Sequence, residues 1–264
     1  MNHLDRRQSL MGVKGGALAT AVIARRNLLQ VRSDPEQLIG MTLQPLMFVL
    51  LFVYVFGGAI AHSSQRYLSF ALPGILVQSL AFNGFQTGLG LNVDFQRGVI
   101  DRFRSLPIPS YSVIAGRVLA DAARVGWSIA VIMAFGFAIG FSAHGGPIGV
   151  IAGLAVAGLF GVSVCWPMAL VGLSLKSPEA VNAGGFIMMM PITFASSALV
   201  PVSSMPAALR VFAANNPVTL VTDAARSLMQ GTAATGSVIK ALAWCAAITV
   251  VFAPLSIARY HRQA

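Results

Sequence analysis

Six apolar stretches, at about 38–60, 68–93, 122–141, 147–174, 183–200 and 238–258, dominate this 264-residue chain. A helix rises about 1.5 Å per residue, so about 20 residues cross the hydrocarbon core of a bilayer. The first, second and fourth stretches exceed that length; the third and fifth are shorter. Backbone N–H and C=O groups find no water in lipid, which leaves helices and closed barrels as spanning structures. None of the six stretches alternates with the two-residue period of a barrel strand. The expected fold class is therefore all-α integral membrane, with six transmembrane helices. Charged residues make up only 10% of the chain and hydrophobic ones 56%. A soluble domain carries about a quarter charged residues, and this chain has too few to cover a surface facing water.

Lys and Arg set the orientation, because cytoplasmic loops carry the excess of both. With the N-terminus in the cytoplasm, 14 of the 18 basic residues fall on that side, Arg117 and Arg124 counted among them with the loop after the second span, and Arg66, Arg210, Arg226 and Lys240 fall on the other. Both termini are then cytoplasmic. In the leading segment, 1–37, Arg6-Arg7 opens like a twin-arginine signal, but Lys14 interrupts the apolar core such a signal needs. On a helical wheel Arg7, Lys14, Arg25 and Arg32 share one stripe, with Met11, Leu18, Val22 and Leu29 beside it. The expected element is a helix lying in the cytoplasmic interface with its cations at lipid phosphates. A loosely ordered basic tail is the plainer reading.

The net charge of +10 follows topology rather than a basic run interleaved with aromatics, so it does not point to nucleic acid. Cys165 and Cys245 sit inside apolar runs, and the four histidines are scattered, which gives neither a metal set nor a disulfide framework. No GxxxxGK[ST], GxSxG, HExxH or paired-carboxylate pattern occurs. The chain is expected to be no enzyme and to hold no cofactor of its own. Its acidic residues are Asp5, Asp34, Glu36, Asp94, Asp101, Asp121, Glu179 and Asp223, none in the middle of an apolar stretch. Ion-coupled transporters keep such a group near the membrane midplane. Energy for uphill transport would come from another subunit.

Residues 94–110 read as a cytoplasmic loop between the second and third spans. As a helix, Val99, Ile100, Phe103 and Leu106 share one face and Arg97, Asp101, Arg102 and Arg104 the other, until Pro107 and Pro109 end it. Such a helix fits a groove on a cytosolic partner, or lies on the lipid surface. The loop 174–182 either touches the same partner or is a plain turn. Between the last two spans, 201–231 reads as two short external helices. Ser204 is expected to cap the first, around Pro206, and Asn215-Asn216 to close it. Asn216 then caps the second, with Pro217 at its first position and Gly231 at its end. Asp223 and Arg226 are three apart and pair. Both helices are too apolar for water and are expected to re-enter the outer leaflet or pack on the spans. Gly84 with Gly88, and Gly136 with Gly140, have the spacing of close helix contacts, with no partner assigned.

Three segments carry a resemblance: Pro201-Val-Ser-Ser-Met-Pro-Ala-Ala-Leu-Arg, Asn216-Pro-Val-Thr and Asp223-Ala-Ala-Arg-Ser-Leu-Met-Gln-Gly231. They resemble the C-terminal signature of type 2 ABC exporter permeases, in the branch named for daunorubicin-resistance permeases. Ser177-Pro-Glu-Ala-Val-Asn, Pro191-Ile-Thr-Phe and Arg97-Gly-Val-Ile-Asp-Arg-Phe-Arg-Ser-Leu-Pro107 are similar to it as well. Val99 stands where the family more often has Thr, and Gln96 where it has an acidic residue. The resemblance runs from about residue 30 to the end and is most specific over 177–231. It implies an N-terminal interfacial helix, a six-span transmembrane domain over 38–264, a coupling helix after the second span and a re-entrant hairpin before the sixth. By the same resemblance Arg97, Val99, Asp101, Arg102, Phe103, Arg104 and Leu106 contact the ATPase. Two permease chains, as a homodimer or heterodimer, are implied to work with two copies of a separate cytosolic ABC ATPase that binds ATP and Mg. Family members export hydrophobic drugs, lipids or glycans.

The expected function is the transmembrane permease subunit of an ATP-driven exporter in a bacterial inner membrane, with drug efflux and antibiotic resistance as the physiological setting. An ATP-independent channel or secondary transporter is the main alternative, and a non-transport scaffold the next. The polar residues of the spans, Gln78, Asn83, Gln86, Asn92, Thr193, Ser196 and Ser197, either line the path or bond between helices.

Overall fold

The computed structural model describes residues 21–23, 25, 35–58, 63–99, 111–232 and 235–262. Every regular element among them is helical. Helix α1 (Pro35–Leu50) continues into a π-helical turn at Leu51–Phe56. It is followed by α2 (Ser64–Gln96), α3 (Tyr111–Ala138), α4 (Gly146–Ser174) and α5 (Pro178–Phe194). Two short helices, α6 (Ala207–Asn215) and α7 (Pro217–Gln230), precede α8 (Thr235–Arg262). Among the described residues four helices are long and apolar enough to cross a membrane: α2, α3 from Gly116 onward, α4 and α8. The other two apolar stretches, α1 and the 17-residue α5, are shorter.

The third apolar stretch understates its helix. Sequence hydropathy starts it near 122, whereas α3 starts at Tyr111, because Arg117, Asp121 and Arg124 neutralise one another inside the helix. Counting Arg117 and Arg124 as loop charges is thus corrected: both are buried within α3.

Of the four candidate spans α2 is the most buried and α8 the least. The largest interface of α2 is with α4, and that interface is built on Gly84, Gly88 and Gly172. A Cβ on Gly88 would collide with the Met168 carbonyl, one on Gly172 with the Gly88 backbone, and one on Gly84 would lie 2.9 Å from Val164 Cγ1. Two backbones touch here because no side chain holds them apart. The second glycine pair does something else. Gly136 receives the Leu72 side chain, and Gly140, at φ +99°, ends α3. Replacing Gly88 by Leu is expected to force α2 from α4 and lower the melting temperature of the purified protein, since overpacking costs about 1–3 kcal/mol or more. Gly126, where an added Cβ would meet nothing within 4 Å, should tolerate the same change; equal melting of the two variants would refute the contact.

Around this interface Tyr67, Leu72, Leu76, Leu80 and Phe160 form the main core. A smaller cluster joins Ile23 to Val118, Cys165, Leu173 and Tyr260. Cys165 and Cys245 are both free and buried.

Candidate functional site

The helix α2 ends where the expected coupling loop begins. There Asn92 Nδ2 donates to the carbonyls of Gly172 (2.9 Å) and Leu175 (2.7 Å), and Gln96 Nε2 donates to that of Lys176 (2.7 Å). The last carbonyls of a helix have no N–H partners within it, and these amides, one turn apart on α2, serve the end of α4. The turn between α4 and α5 is thereby tied to the root of the loop after α2. Ser177 accepts from the Ala180 amide (3.1 Å) and so starts α5. Arg97 is exposed at the C-terminus of α2, Val99 is half-buried, and Gly98 takes φ +66° between them. Asp101, Arg102, Phe103, Arg104 and Leu106 lie outside the described residues, as does nearly all of 1–34, including Arg7, Lys14 and Arg32.

Behind this root sits an ion network that the sequence reading missed. Asp121, only 2% exposed, accepts from Arg124 Nη1 at 2.6 Å and from Thr87 Oγ1 of α2 at 2.6 Å. Arg117 lies 3.7 Å from both Asp121 and Asp94, and its Nη2 donates to the Gln86 carbonyl at 3.2 Å. Gly90 makes the space: a Cβ there would collide with the Arg117 guanidinium. Among the described residues two cations face two anions, and such pairing is the condition for burying them. The available signal was spacing, since Arg117, Asp121 and Arg124 fall on one helix face.

At the opposite end, α7 packs on α2, α4 and α8. Asn216 Oδ1 accepts from the Val218 amide at 2.9 Å, while its Nδ2 donates to the Ile192 (2.6 Å) and Ala195 (3.0 Å) carbonyls at the end of α5. Pro217 opens α7 and Gly231, at φ +71°, closes it. Ser204 is not a cap. Its hydroxyl donates to the Pro201 carbonyl (2.7 Å) in a 3-10 turn, and α6 starts after Pro206 with no side-chain cap. Arg226 is the clasp of this end. It donates to Asp223 Oδ1 (2.7 Å), the Phe70 carbonyl (3.0 Å) and the Ser197 carbonyl (2.8 Å), and lies 3.9 Å over the Phe70 ring. Burial pulls its pKa down to about 10, with the Asp223 carboxylate opposing, so it stays cationic at neutral pH. Nearby, Pro73 has no N–H to give the Ser69 carbonyl, and Gln230 Nε2 approaches that oxygen at 3.4 Å.

Between α1 and α2 lies a cavity of about 280 Å³. Phe48, Phe82 and Ile75 form apolar walls, and Gln44, Gln78 and Asn83 are among its polar lining. Gln86 and Ser79 line it too, because residues of α2 three or four apart share one face. Gln78, Asn83 and Gln86 therefore meet in one place. Asn92 is at the loop root instead. Thr193 donates to the Met189 carbonyl (2.8 Å) and Ser196 to that of Thr193 (2.6 Å), while Ser197 bonds Asp223 (2.7 Å) in the clasp. A second cavity, of about 250 Å³, is walled by apolar residues such as Phe160, Met188, Trp244 and Phe252.

The molecule is thus a helical bundle with a buried glycine seam, a tied loop root and a clasped terminal hairpin. Residues 19–229 match the family model described as ABC-2 type transporter. The chain belongs to that family. The matched region of this ABC-2 permease takes in the loop root, the ion network, the α1–α2 cavity and the clasp. The permease is 38% identical over 252 residues to a daunorubicin resistance ABC transporter permease of Streptomyces coeruleorubidus, covering 94% of this chain and 89% of the relative. It is 26% identical over 244 residues to a protein of Mycobacterium tuberculosis named as a probable doxorubicin resistance ABC transporter permease, covering 90% of this chain and 87% of the relative.

Proposed function

We propose that this ABC-2 permease is the membrane-spanning subunit of an ATP-driven exporter of amphipathic drugs. The observation that carries the proposal is the 38% identity, over 94% of the chain, to a daunorubicin resistance ABC transporter permease. In this reading α1–α5 and α8 are six spans of a bacterial cell membrane, both termini are cytoplasmic, and residues 201–231 form a re-entrant hairpin on the outer side. Two permease chains work with two copies of a cytosolic ABC ATPase, which binds ATP and Mg.

Closure of the ATPases pushes on 97–107. Asn92 and Gln96 carry that push to the turn before α5, and Asp94 carries it through Arg117 to α3. The helices reorient, and substrate moves outward past the amides of the α1–α2 cavity. Thr193 and Ser196, bonded within their own segment, help to shape α5 rather than line the path.

The assembly is tested by purifying the tagged chain in detergent, wild type beside Phe103→Asp, and probing for a co-purifying ABC ATPase. ATPase bound to wild type and lost from the variant is expected. Absence of an ATPase from both under gentle extraction would favour a channel or a scaffold. Asn92→Leu, in contrast, should keep the ATPase bound and lower drug export per ATP hydrolysed by roughly thirtyfold, the equivalent of about 2 kcal/mol for two buried hydrogen bonds of about 1 kcal/mol each. Unchanged export per ATP would remove Asn92 from the coupling route.

A further inference from the structure

We propose that the apolar cavity between α4, α5 and α8 seats one acyl chain of an anionic phospholipid of the cytoplasmic leaflet, the choice of leaflet resting on the topology proposed above. The cavity follows from how the helices pack. Helix α5 packs more on α2 than on α4, α8 packs on α4 and α7, and among the described residues no extensive contact joins α5 to α8. Between them α4 is left as a floor from Phe160 to Val171, with Met188 and Ile192 of α5 on one side and Trp244 and Phe252 of α8 on the other. Pro217, which opens α7, lines the gap where α5 ends.

Chemistry, length and charge name the occupant. The lining is aliphatic, aromatic and thioether, so a charged or hydroxylated guest would lose its water without gaining a partner. An apolar cavity of about 150 Å³ stays dry and takes up benzene, and this one holds about 250 Å³. Trp244 is 40% exposed, so the gap opens on the side of the bundle that faces lipid. From Phe160 to Val171 the floor runs roughly 16 Å at about 1.5 Å per residue. One leaflet supplies about 15 Å of hydrocarbon, half of the bilayer core, so a single chain fills the gap from end to end. The floor occupies the half of α4 that leads to the loop root, the cytoplasmic half. Cations stand where the phosphate of such a lipid belongs. Thr249 donates to Ser163 Oγ (3.2 Å) and Ser256 to the Trp166 carbonyl (2.9 Å), which sets α8 parallel to α4 at an offset of 86 to 90 positions. That offset puts Arg259 level with 169–173, at the Val171 end, on the face of α8 that carries Ile248 and Phe252. Lys176 is exposed in the turn that joins the floor to α5. Among the described residues no carboxylate lies within ion-pair distance of either cation, and an anionic headgroup answers both.

The test uses the full-length permease in lipid nanodiscs, with Trp127→Phe and Trp166→Phe so that Trp244 alone fluoresces. Bromines on an acyl chain quench a tryptophan that they touch. Brominated phosphatidylglycerol, titrated into phosphatidylcholine, should quench Trp244 and saturate at a mole fraction roughly tenfold below that needed by brominated phosphatidylcholine, the order expected of two screened cations. Bromines near the chain end should quench more than bromines near the carboxyl, because Trp244 lines the end of the gap away from Arg259. Lys176→Gln/Arg259→Gln should remove the preference and leave quenching by phosphatidylcholine intact. Val171→Phe, which fills the floor and keeps both charges, should remove the saturable quenching by either lipid. Quenching that grows in proportion to mole fraction, alike for both lipids and in every variant, would overturn the proposal, since it marks ordinary boundary lipid. So would the absence of quenching by either lipid, which means that protein covers Trp244, or displacement of the brominated lipid by daunorubicin, which gives the gap to the drug. Stronger quenching by bromines near the carboxyl would place the chain in the other leaflet and overturn it as well. Saturable quenching without ATP-driven export would remove the exporter reading and leave this one standing, whereas export by a permease whose Trp244 shows no saturable quenching would do the reverse.

Discussion

Asp121→Ala is expected to destabilise the folded permease by about 3–5 kcal/mol, the usual result of removing one partner from a buried ion pair. The carboxylate is 2% exposed and takes a 2.6 Å bond from Arg124 and another from Thr87. Without it Arg124 loses the carboxylate it pairs with among the described residues, Arg117 keeps Asp94, and a buried positive charge is left uncompensated among apolar side chains. The double variant Asp121→Ala/Arg124→Met removes the cation with the anion and leaves Arg117 with Asp94. It should recover more than half of the loss, since replacing both members of a buried pair by apolar groups is often neutral. Thermal melting of the detergent-purified protein measures both. A single variant that melts with wild type, or a double variant no better than the single, would show that the network does not hold α3 to α2.

The second large effect is expected at Arg226. Its guanidinium meets three acceptors on α2, the segment after α5 and α7 at once, and covers the Phe70 ring. Arg226→Ala takes a donor from the Phe70 and Ser197 carbonyls and from Asp223 Oδ1, which keeps only the Ser197 hydroxyl, a loss of about 2–4 kcal/mol from these bonds and the missing cation–π contact. Asp223 is 41% exposed, so water recovers part of its share. Arg226→Lys should restore little, because a single ammonium cannot reproduce the fork. The clasp holds a local element, so the first sign should be faster proteolysis within 201–231, ahead of any fall in global melting temperature. Cleavage of the hairpin at the wild-type rate would show that α7 is held by its apolar face alone.

These two sites also mark how far the sequence could be read. The apolar stretches gave the helices, and the caps of α7 were legible residue by residue, because Asn216, Pro217 and Gly231 each have a local backbone reason to be there. The Asp223–Arg226 pair was legible from its spacing. Its attachment to Phe70, more than 150 positions away in the chain, was not, since only tertiary packing brings that carbonyl within reach. Ser204 misled because a serine near a helix start has other carbonyls to bind, here that of Pro201. Arg117 and Arg124 misled for a different reason. Hydropathy treats each charge as a reason to leave the membrane, and it does not register that charges three and four apart on one face can cancel. The polar residues of the spans were picked out together, but their partners divide them. Asn92 serves carbonyls of α4, Thr193 and Ser196 serve their own segment, and among the described residues Gln78 has a buried amide with both ends open.

The most direct test of the exporter assignment is drug uptake into inside-out vesicles carrying the permease with its ATPase, where export appears as accumulation. Daunorubicin should accumulate with ATP and Mg, stop when ATP is replaced by a non-hydrolysable analogue, and continue when the proton gradient is collapsed. Accumulation that persists without ATP hydrolysis, or that disappears with the proton gradient while ATP is present, would contradict it.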